Sequence, residues 1–297
     1  MKILLLGKDG QVGWELQRSL GTLGELIALG RHEFDGLCGD LADLSALRET
    51  IRKVKPDVIV NAAAYNSVDR AETEPGLAHR VNSQATGVLA EEAEASGAWL
   101  VHYSTDYVFD GQGTAPWSED DRAQPLNRYG ESKLSGEQAV QASGCKHLLF
   151  RTSWVYGARG SNFALTMLRL AKERQKLSVI NDQVGAPTGA DLIADVTAMA
   201  LHQALKQPRL SGLYHLAAAG EVSWYGYACH VLDVAKSSGE LLMVQEIEPI
   251  EAKSYPAAAR RPLNSRLNTQ KLRDNFSLHL PGWQSGVTRM LREVLNK

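Results

Sequence analysis

The sequence predicts an α/β fold, a doubly wound parallel sheet over residues 1–158 followed by a smaller C-terminal α/β domain over 159–297, some of whose segments return to the first. Three observations carry that prediction. Short aliphatic runs alternate with helical patterns through the first half, a glycine-rich turn joins the first run to the first helix, and the alternation changes beyond about residue 155. With 297 residues, 44% hydrophobic and 22% charged, the chain can bury the core this architecture needs.

Ile3 to Leu6 is a continuous aliphatic run, as expected of a strand covered on both faces. Gly7-Lys8-Asp9-Gly10-Gln11-Val12-Gly13 follows at once, and Trp14 to Leu20 then sets Leu16 and Leu20 on one helical face. This order is that of a Rossmann-type dinucleotide site. Gly7, Gly10 and Gly13 allow a tight turn and close backbone approach, and the helix start at Gln11 and Val12 offers free N–H groups to a pyrophosphate. The plainer alternative is a glycine turn that only packs a helix on a sheet.

Leu26 to Leu29 reads as the second strand, ending at Gly30-Arg31-His32. An acid at that end would bind a free ribose 2′-hydroxyl, whereas an arginine pairs well with a 2′-phosphate, so NADPH is expected over NADH, with NADH use left open; the alternative is that Arg31 is a solvated loop charge. Asp40 and Leu41 are expected to flank the adenine after a short third strand. Leu44 to Val54 reads as an amphipathic helix, and Val58 to Val60 as a strand running into Asn61-Ala62-Ala63-Ala64, whose small side chains let a cofactor lie against the backbone. Leu77 to Ala95 is a long helical stretch. Trp99 to Tyr103 is a strand that delivers Ser104-Thr105-Asp106 to the ligand crevice, where the Thr105 hydroxyl can donate to a substrate carbonyl.

Tyr129-Gly130-Glu131-Ser132-Lys133, after a loop closed by Pro125, opens the next helix and places a phenol and an amine four residues apart on one face. A cation there would lower the phenol pKa toward the range of a neutral-pH proton donor. The alternative is a half-buried Tyr129 with Lys133 reaching into water. His147 to Arg151 forms a further strand. The second half carries helical patterns at Phe163 to Lys172, Asp191 to Leu205, Ser223 to Ala235, Thr269 to Asp274 and Trp283 to Leu295, with short strands at Leu177 to Ile180 and Leu213 to Leu216. The basic segment Ala257-Ala258-Ala259-Arg260-Arg261-Pro262, with Arg260 in it, is a candidate contact for a substrate diphosphate, or else an exposed surface loop.

A net charge of −2 with mixed signs leaves no basic stripe for a nucleic-acid backbone. Cys38, Cys145 and Cys229 are too few and too scattered for a disulfide framework or a zinc site. The apolar part of the N-terminus is short for a signal peptide and no run reaches membrane-spanning length, so a cytoplasmic protein is expected.

Together, the glycine loop, Asn61-Ala62-Ala63-Ala64, Ser104-Thr105-Asp106 and Tyr129-x-x-x-Lys133 resemble the extended short-chain dehydrogenase/reductases over the first half of the chain. Within that superfamily a closer resemblance, to the dTDP-4-dehydrorhamnose reductases, spans nearly the whole chain. It rests on the glycine loop, Val68-Asp69-Arg70-Ala71-Glu72, His102 to Phe109, Phe150 to Tyr156 and Arg260-Arg261-Pro262. The resemblance implies reduction of the C4 keto group of a dTDP-linked 6-deoxy-4-keto sugar, with the second domain mainly binding substrate. Tyr129 would protonate the developing alkoxide, Lys133 would hold the nicotinamide ribose and depress the Tyr129 pKa, and Thr105 would orient the carbonyl. Tyr103 would face the cofactor, while Asp106 and Trp154 would contact the sugar. Related 4,6-dehydratases carry Thr-Asp-Glu where this chain has Thr105-Asp106-Tyr107, so they hold a base that is missing here. The resemblance also implies a homodimer with magnesium held by Glu15, Asp191 and Glu293, and some relatives have an Asp in place of Gly30. A non-catalytic NADP-binding regulatory subunit, or a reductase of another nucleotide 4-keto sugar, is the alternative.

Overall fold

In the computed structural model, which describes residues 1–296, five strands of the first half form most of one sheet: β1 (Lys2–Leu6), β2 (Glu25–Leu29), β3 (Val58–Asn61), β4 (Trp99–Thr105) and β5 (Lys146–Thr152). A sixth strand, Gly212–His215, joins beyond β5, so a C-terminal segment completes the sheet. From one edge the order is β2-β1-β3-β4-β5-sixth, with every pair parallel. The chain reverses its direction of travel across the sheet between β1 and β3. A crevice opens at the carboxyl ends of the strands where that reversal occurs, and ligands of open α/β sheets bind there.

Alternating residues of the aliphatic strands serve two cores, which is why the strands carry no polar face. Ile3, Leu5, Val58, Val60 and Val101 pack with Leu16 and Leu20 of the helix Gln11–Leu20 and with Ile193 and Leu201 of the helix Ala190–Lys206. Leu4, Leu6, Ile59 and Leu100 pack on the other side with Leu47 and Ile51 of the helix Leu44–Val54, and with Leu89 and Val140 from the helices Ala85–Ser96 and Arg128–Ser143. A third core lies among the helices Phe163–Glu173, Trp224–Ser237 and Trp283–Val294.

The short third strand expected before Asp40 does not form. Asp35 and Gly36 both take positive φ, 53° and 66°, and fold Phe34 back on Leu37 in an isolated bridge. The stretch Leu77 to Ala95 is not one regular helix either. Arg80–Gln84 makes a π-helical turn between Pro75–His79 and Ala85–Ser96. There the buried Asn82 turns its amide to the backbone of Tyr65 and to Ser132, and its carbonyl sits where a Cβ on Gly136 would fall. Glu246–Ile250 adds a strand that pairs in parallel with Lys176–Ile180, and the proline within it hides it from a propensity reading.

Candidate active site

The glycine loop fits a dinucleotide because there is no room in it for side chains. Gly7 has φ 87°, and a Cβ built on it would lie 2.7 Å from the Ala63 nitrogen. A Cβ on Gly13 would collide with the Gly7 carbonyl. Gly10 caps the following helix without any side-chain hydrogen bond, and the first turn carries no acid, which leaves the N–H groups at its start open to an anion. A cleft of about 330 Å³ runs from Gly7 and Gly10 past Ala62, Ala63 and Ala64 to Arg31, Asp40 and Leu41. Gln11 and Val12 begin the helix, and the Gln11 side chain accepts a hydrogen bond from Asn162 at 3.0 Å.

Beyond the cleft, β4 and the helix Arg128–Ser143 bring the polar residues together. Asn127 caps that helix, accepting from the Gly130 N–H at 2.8 Å, while its own amide donates to the Arg260 carbonyl at 2.7 Å. A side chain at Gly130 would strike the Tyr107 carbonyl, so glycine lets the helix start sit directly on the Asp106–Val108 turn. The Tyr107 and Tyr129 rings meet edge to face, 5.8 Å apart. Lys133, 2% exposed, donates to the Tyr103 carbonyl at 2.6 Å. The Tyr103 ring points away, into the core, where its hydroxyl pairs with Thr197 at 2.8 Å; what Tyr103 offers this site is its backbone oxygen.

Beneath Lys133 lies a chain of fixed orientation. The Asn61 side-chain oxygen accepts the Ala63 N–H at 3.1 Å, so its amide nitrogen donates to His102 Nδ1, also at 3.1 Å. A neutral ring then carries its proton on Nε2, 3.5 Å from Lys133 Nζ. Burial and the Lys133 charge hold His102 well below its ordinary pKa, and burial takes Lys133 down to about 8.

The structure corrects one electrostatic expectation. Burial first, and the Asp106 carboxylate second, raise the Tyr129 pKa, with only the Thr105 hydroxyl opposing them; Lys133 does not lower it. The ammonium is turned toward Tyr103 instead. Thr105 donates to Asp106 Oδ1 at 3.1 Å and accepts the Tyr107 N–H, so its proton is engaged within the protein. Asp106 Oδ2, Ser104 Oγ and Thr152 Oγ1 are buried without partners at the ends of β4 and β5. Burial raises Asp106 to about 6.

Two substrate candidates sit differently. Trp154 takes a left-handed φ of 49° and stacks on Trp224 at 3.6 Å, and a Cβ built on Gly185 would fall 2.8 Å from its ring, so glycine makes room for the indole. Arg260 is exposed; its neighbour Arg261 turns inward, bonded to Asp69 and set beside the Tyr107 hydroxyl. The three metal candidates do not form a ligand set. Asp191 is paired with Arg289, Glu15 lies 3.8 Å from Arg18, Glu293 is exposed, and no metal-holding group of three appears among the described residues.

Comparison with known proteins places this geometry. Residues 1–296 match the family model described as the RmlD substrate binding domain. The dTDP-4-dehydrorhamnose reductase of Salmonella typhimurium is 56% identical over 294 residues, covering 99% of this chain and 98% of its own. The chain belongs to the dTDP-4-dehydrorhamnose reductase family. Its member from Burkholderia thailandensis is 46% identical over the full length of both chains. The crystal structure of the Bacillus anthracis dTDP-4-dehydrorhamnose reductase in complex with NADP superposes with a TM-score of 0.87 at 33% identity, covering 98% of this chain and 99% of that one. A Clostridium acetobutylicum dTDP-4-dehydrorhamnose reductase gives a TM-score of 0.89 at 32% identity, with full coverage of both chains.

Within this reductase fold, sequence reading missed Asp9, His102 and Asn127, and took Arg261 only as part of a basic segment. Asn127 could have been found, since Asn immediately before a helical run is a preferred N-cap. His102 and Arg261 act across strands and loops, and local spacing carries no trace of that. Among the described residues no helix is long and apolar enough to cross a membrane.

Proposed function

We infer that this chain reduces the C4 keto group of dTDP-6-deoxy-L-lyxo-4-hexulose to give dTDP-L-rhamnose, with NADPH as the reductant. The observation that carries the reading is the meeting of Tyr129, Thr105, Asp106 and Lys133 at the carboxyl end of β4, beside a side-chain-free glycine cleft. When bound, the nicotinamide supplies hydride to the carbonyl carbon.

The protein's part is the proton and the orientation. Because burial keeps Tyr129 a phenol, its resting form is the one that can protonate an oxygen on which negative charge develops. Lys133, fixed by the Tyr103 carbonyl, stands one helical turn along to hold the ribose. The unpartnered Asp106 Oδ2 is an acceptor for a sugar hydroxyl. Tyr107, which stands where a dehydratase would need a carboxylate, has its pKa raised by burial and cannot act as a base. Arg31 at the far end of the cleft favours the 2′-phosphate.

Purified protein should oxidise NADPH on addition of the 4-keto sugar nucleotide, and Tyr129→Phe should bind NADPH equally well while losing nearly all turnover. A wild-type protein that binds NADPH tightly and turns nothing over would overturn the reading. Magnesium does not fit the carboxylates of a single chain, because Arg289 already neutralises Asp191. An ion bridging two copies would displace Arg289, and a fall in thermal stability or loss of a dimer on adding chelator would establish it. Unchanged stability and mass would remove it.

A further inference from the structure

The end of the second strand is where a dinucleotide fold usually keeps the acid that binds the ribose 2′-hydroxyl. In this chain that place belongs to Gly30, yet the space is not empty. A Cβ built on Gly30 would overlap a carboxylate oxygen of Asp9, with the Asp9 carboxyl carbon at 3.3 Å. Asp9 reaches there from the glycine loop, and both it and Gly30 line the cofactor cleft.

Arg31 lies in the same wall. It is 69% exposed, and its Nε is 3.8 Å from Asp40 Oδ1, an oxygen that already accepts the Ala42 N–H. So loose a pair leaves the guanidinium free to turn toward a ligand. Lys8 adds a second cation to this wall, its Cε 3.6 Å from a Cβ built on Gly30 and its ammonium 5.5 Å from the Phe34 ring centroid, but it does not pair with Asp40 as Arg31 does.

We propose that Asp9 replaces the missing strand-end acid: its carboxylate accepts the 2′-hydroxyl of NADH, Arg31 takes the 2′-phosphate of NADPH, and these two residues set the cofactor ratio. The proposal rests on the reading of the cleft as a nicotinamide-dinucleotide site. It follows that the two ligands make opposite demands on residue 9. A hydroxyl gains a charge-assisted hydrogen bond from the carboxylate, whereas a phosphate is repelled by it.

The test is equilibrium binding of NADH and NADPH to the full-length protein, with no sugar substrate. Asp9→Asn should weaken NADH about tenfold, the loss of roughly one charge-assisted hydrogen bond, and tighten NADPH severalfold. Arg31→Ala should weaken NADPH about tenfold and leave NADH little changed. Gly30→Ala is the geometric check: its methyl group must push the Asp9 carboxylate aside and so weaken NADH in the manner of Asp9→Asn. Equal shifts for both cofactors, or none, in Asp9→Asn would overturn the proposal. The readout is separate from turnover, so a shifted ratio in a protein that does not reduce the sugar nucleotide would uphold Asp9 and sink the reductase reading instead.

Discussion

Two charged residues one turn apart on the same helix, Lys133 and Glu137, are buried to the same degree, 2% and 1% exposed, and are treated in opposite ways. Glu137 is fully answered. Arg151 grips it with Nε and Nη2 at 2.9 and 2.7 Å, and the guanidinium lies over the Phe109 ring, 5.0 Å from its centroid. His215 completes that pocket as a neutral ring, its pKa taken down to about 3 by burial and by Arg151. Lys133 has one carbonyl acceptor and no carboxylate bonded to it, and the His102 Nε2–H that lies 3.5 Å away cannot accept from it. The same burial makes one residue a structural tie and leaves the other, facing a ligand crevice, with only the unbonded attraction of Glu137 to set against its desolvation. A protein tolerates the second arrangement where a ligand supplies what is missing.

Removing each charge should therefore give opposite results. Lys133→Met should cut kcat by about 10³ to 10⁴, equivalent to about 4 to 5.5 kcal/mol, while the fold survives. Its stability should rise. The folded pKa of Lys133, about 8, lies below its ordinary 10.5, so burial costs stability wherever the unfolded side chain is protonated. That cost is absent above pH 10.5, grows as pH falls, and is complete below about 8. Thermal unfolding near pH 7 should show Lys133→Met at least as stable as wild type; a large loss would mean that Lys133 is a structural tie after all.

Glu137→Gln should do the reverse. It strands a buried guanidinium, which costs about 3–5 kcal/mol, so denaturant unfolding should shift strongly while the molecules that stay folded keep near-normal turnover. A Gln variant as stable as wild type would erase the contrast between the two sites.

The same contrast explains what could be read without coordinates. Lys133 was legible because Tyr129, the proposed proton donor, is four residues away on the same helix, and the glycine loop was legible because strand, turn and helix are consecutive. The Glu137–Arg151 tie was not, because it joins a helix to the next strand and looks in sequence like two ordinary solvated charges. The direction of the Tyr129 pKa shift failed for a related reason. Spacing put Lys133 near the phenol, but it could not show that the Tyr103 carbonyl holds the ammonium, or that Asp106 brings a carboxylate to the same pocket. The missing third strand turns on two consecutive positive φ angles at Asp35 and Gly36, a local choice that a short apolar run does not encode.

Asp106 offers the smallest and most discriminating test, since it is a third buried charge on the uncompensated side of the comparison. Thr105 donates to one oxygen and the Ser265 hydroxyl is near enough to favour the charge, yet burial outweighs both and lifts the carboxyl from 3.8 to about 6. An acid whose folded pKa is raised binds its proton more tightly when folded, so its ionisation works against folding. The penalty is absent below pH 3.8, grows between 3.8 and 6, and is constant above, where a shift of about two units corresponds to at most about 3 kcal/mol. Asp106→Asn keeps the shape and the acceptor for Thr105 but never ionises. It should unfold at a higher temperature than wild type at pH 8, and the gap should close as the pH is lowered to 4. Its KM for the sugar nucleotide should rise at the same time, because the freed acceptor is the group assigned to a sugar hydroxyl. A gap that stays constant with pH would mean that the Asp106 charge is compensated in the folded protein, and the division between answered and unanswered buried charges would then rest on Lys133 alone.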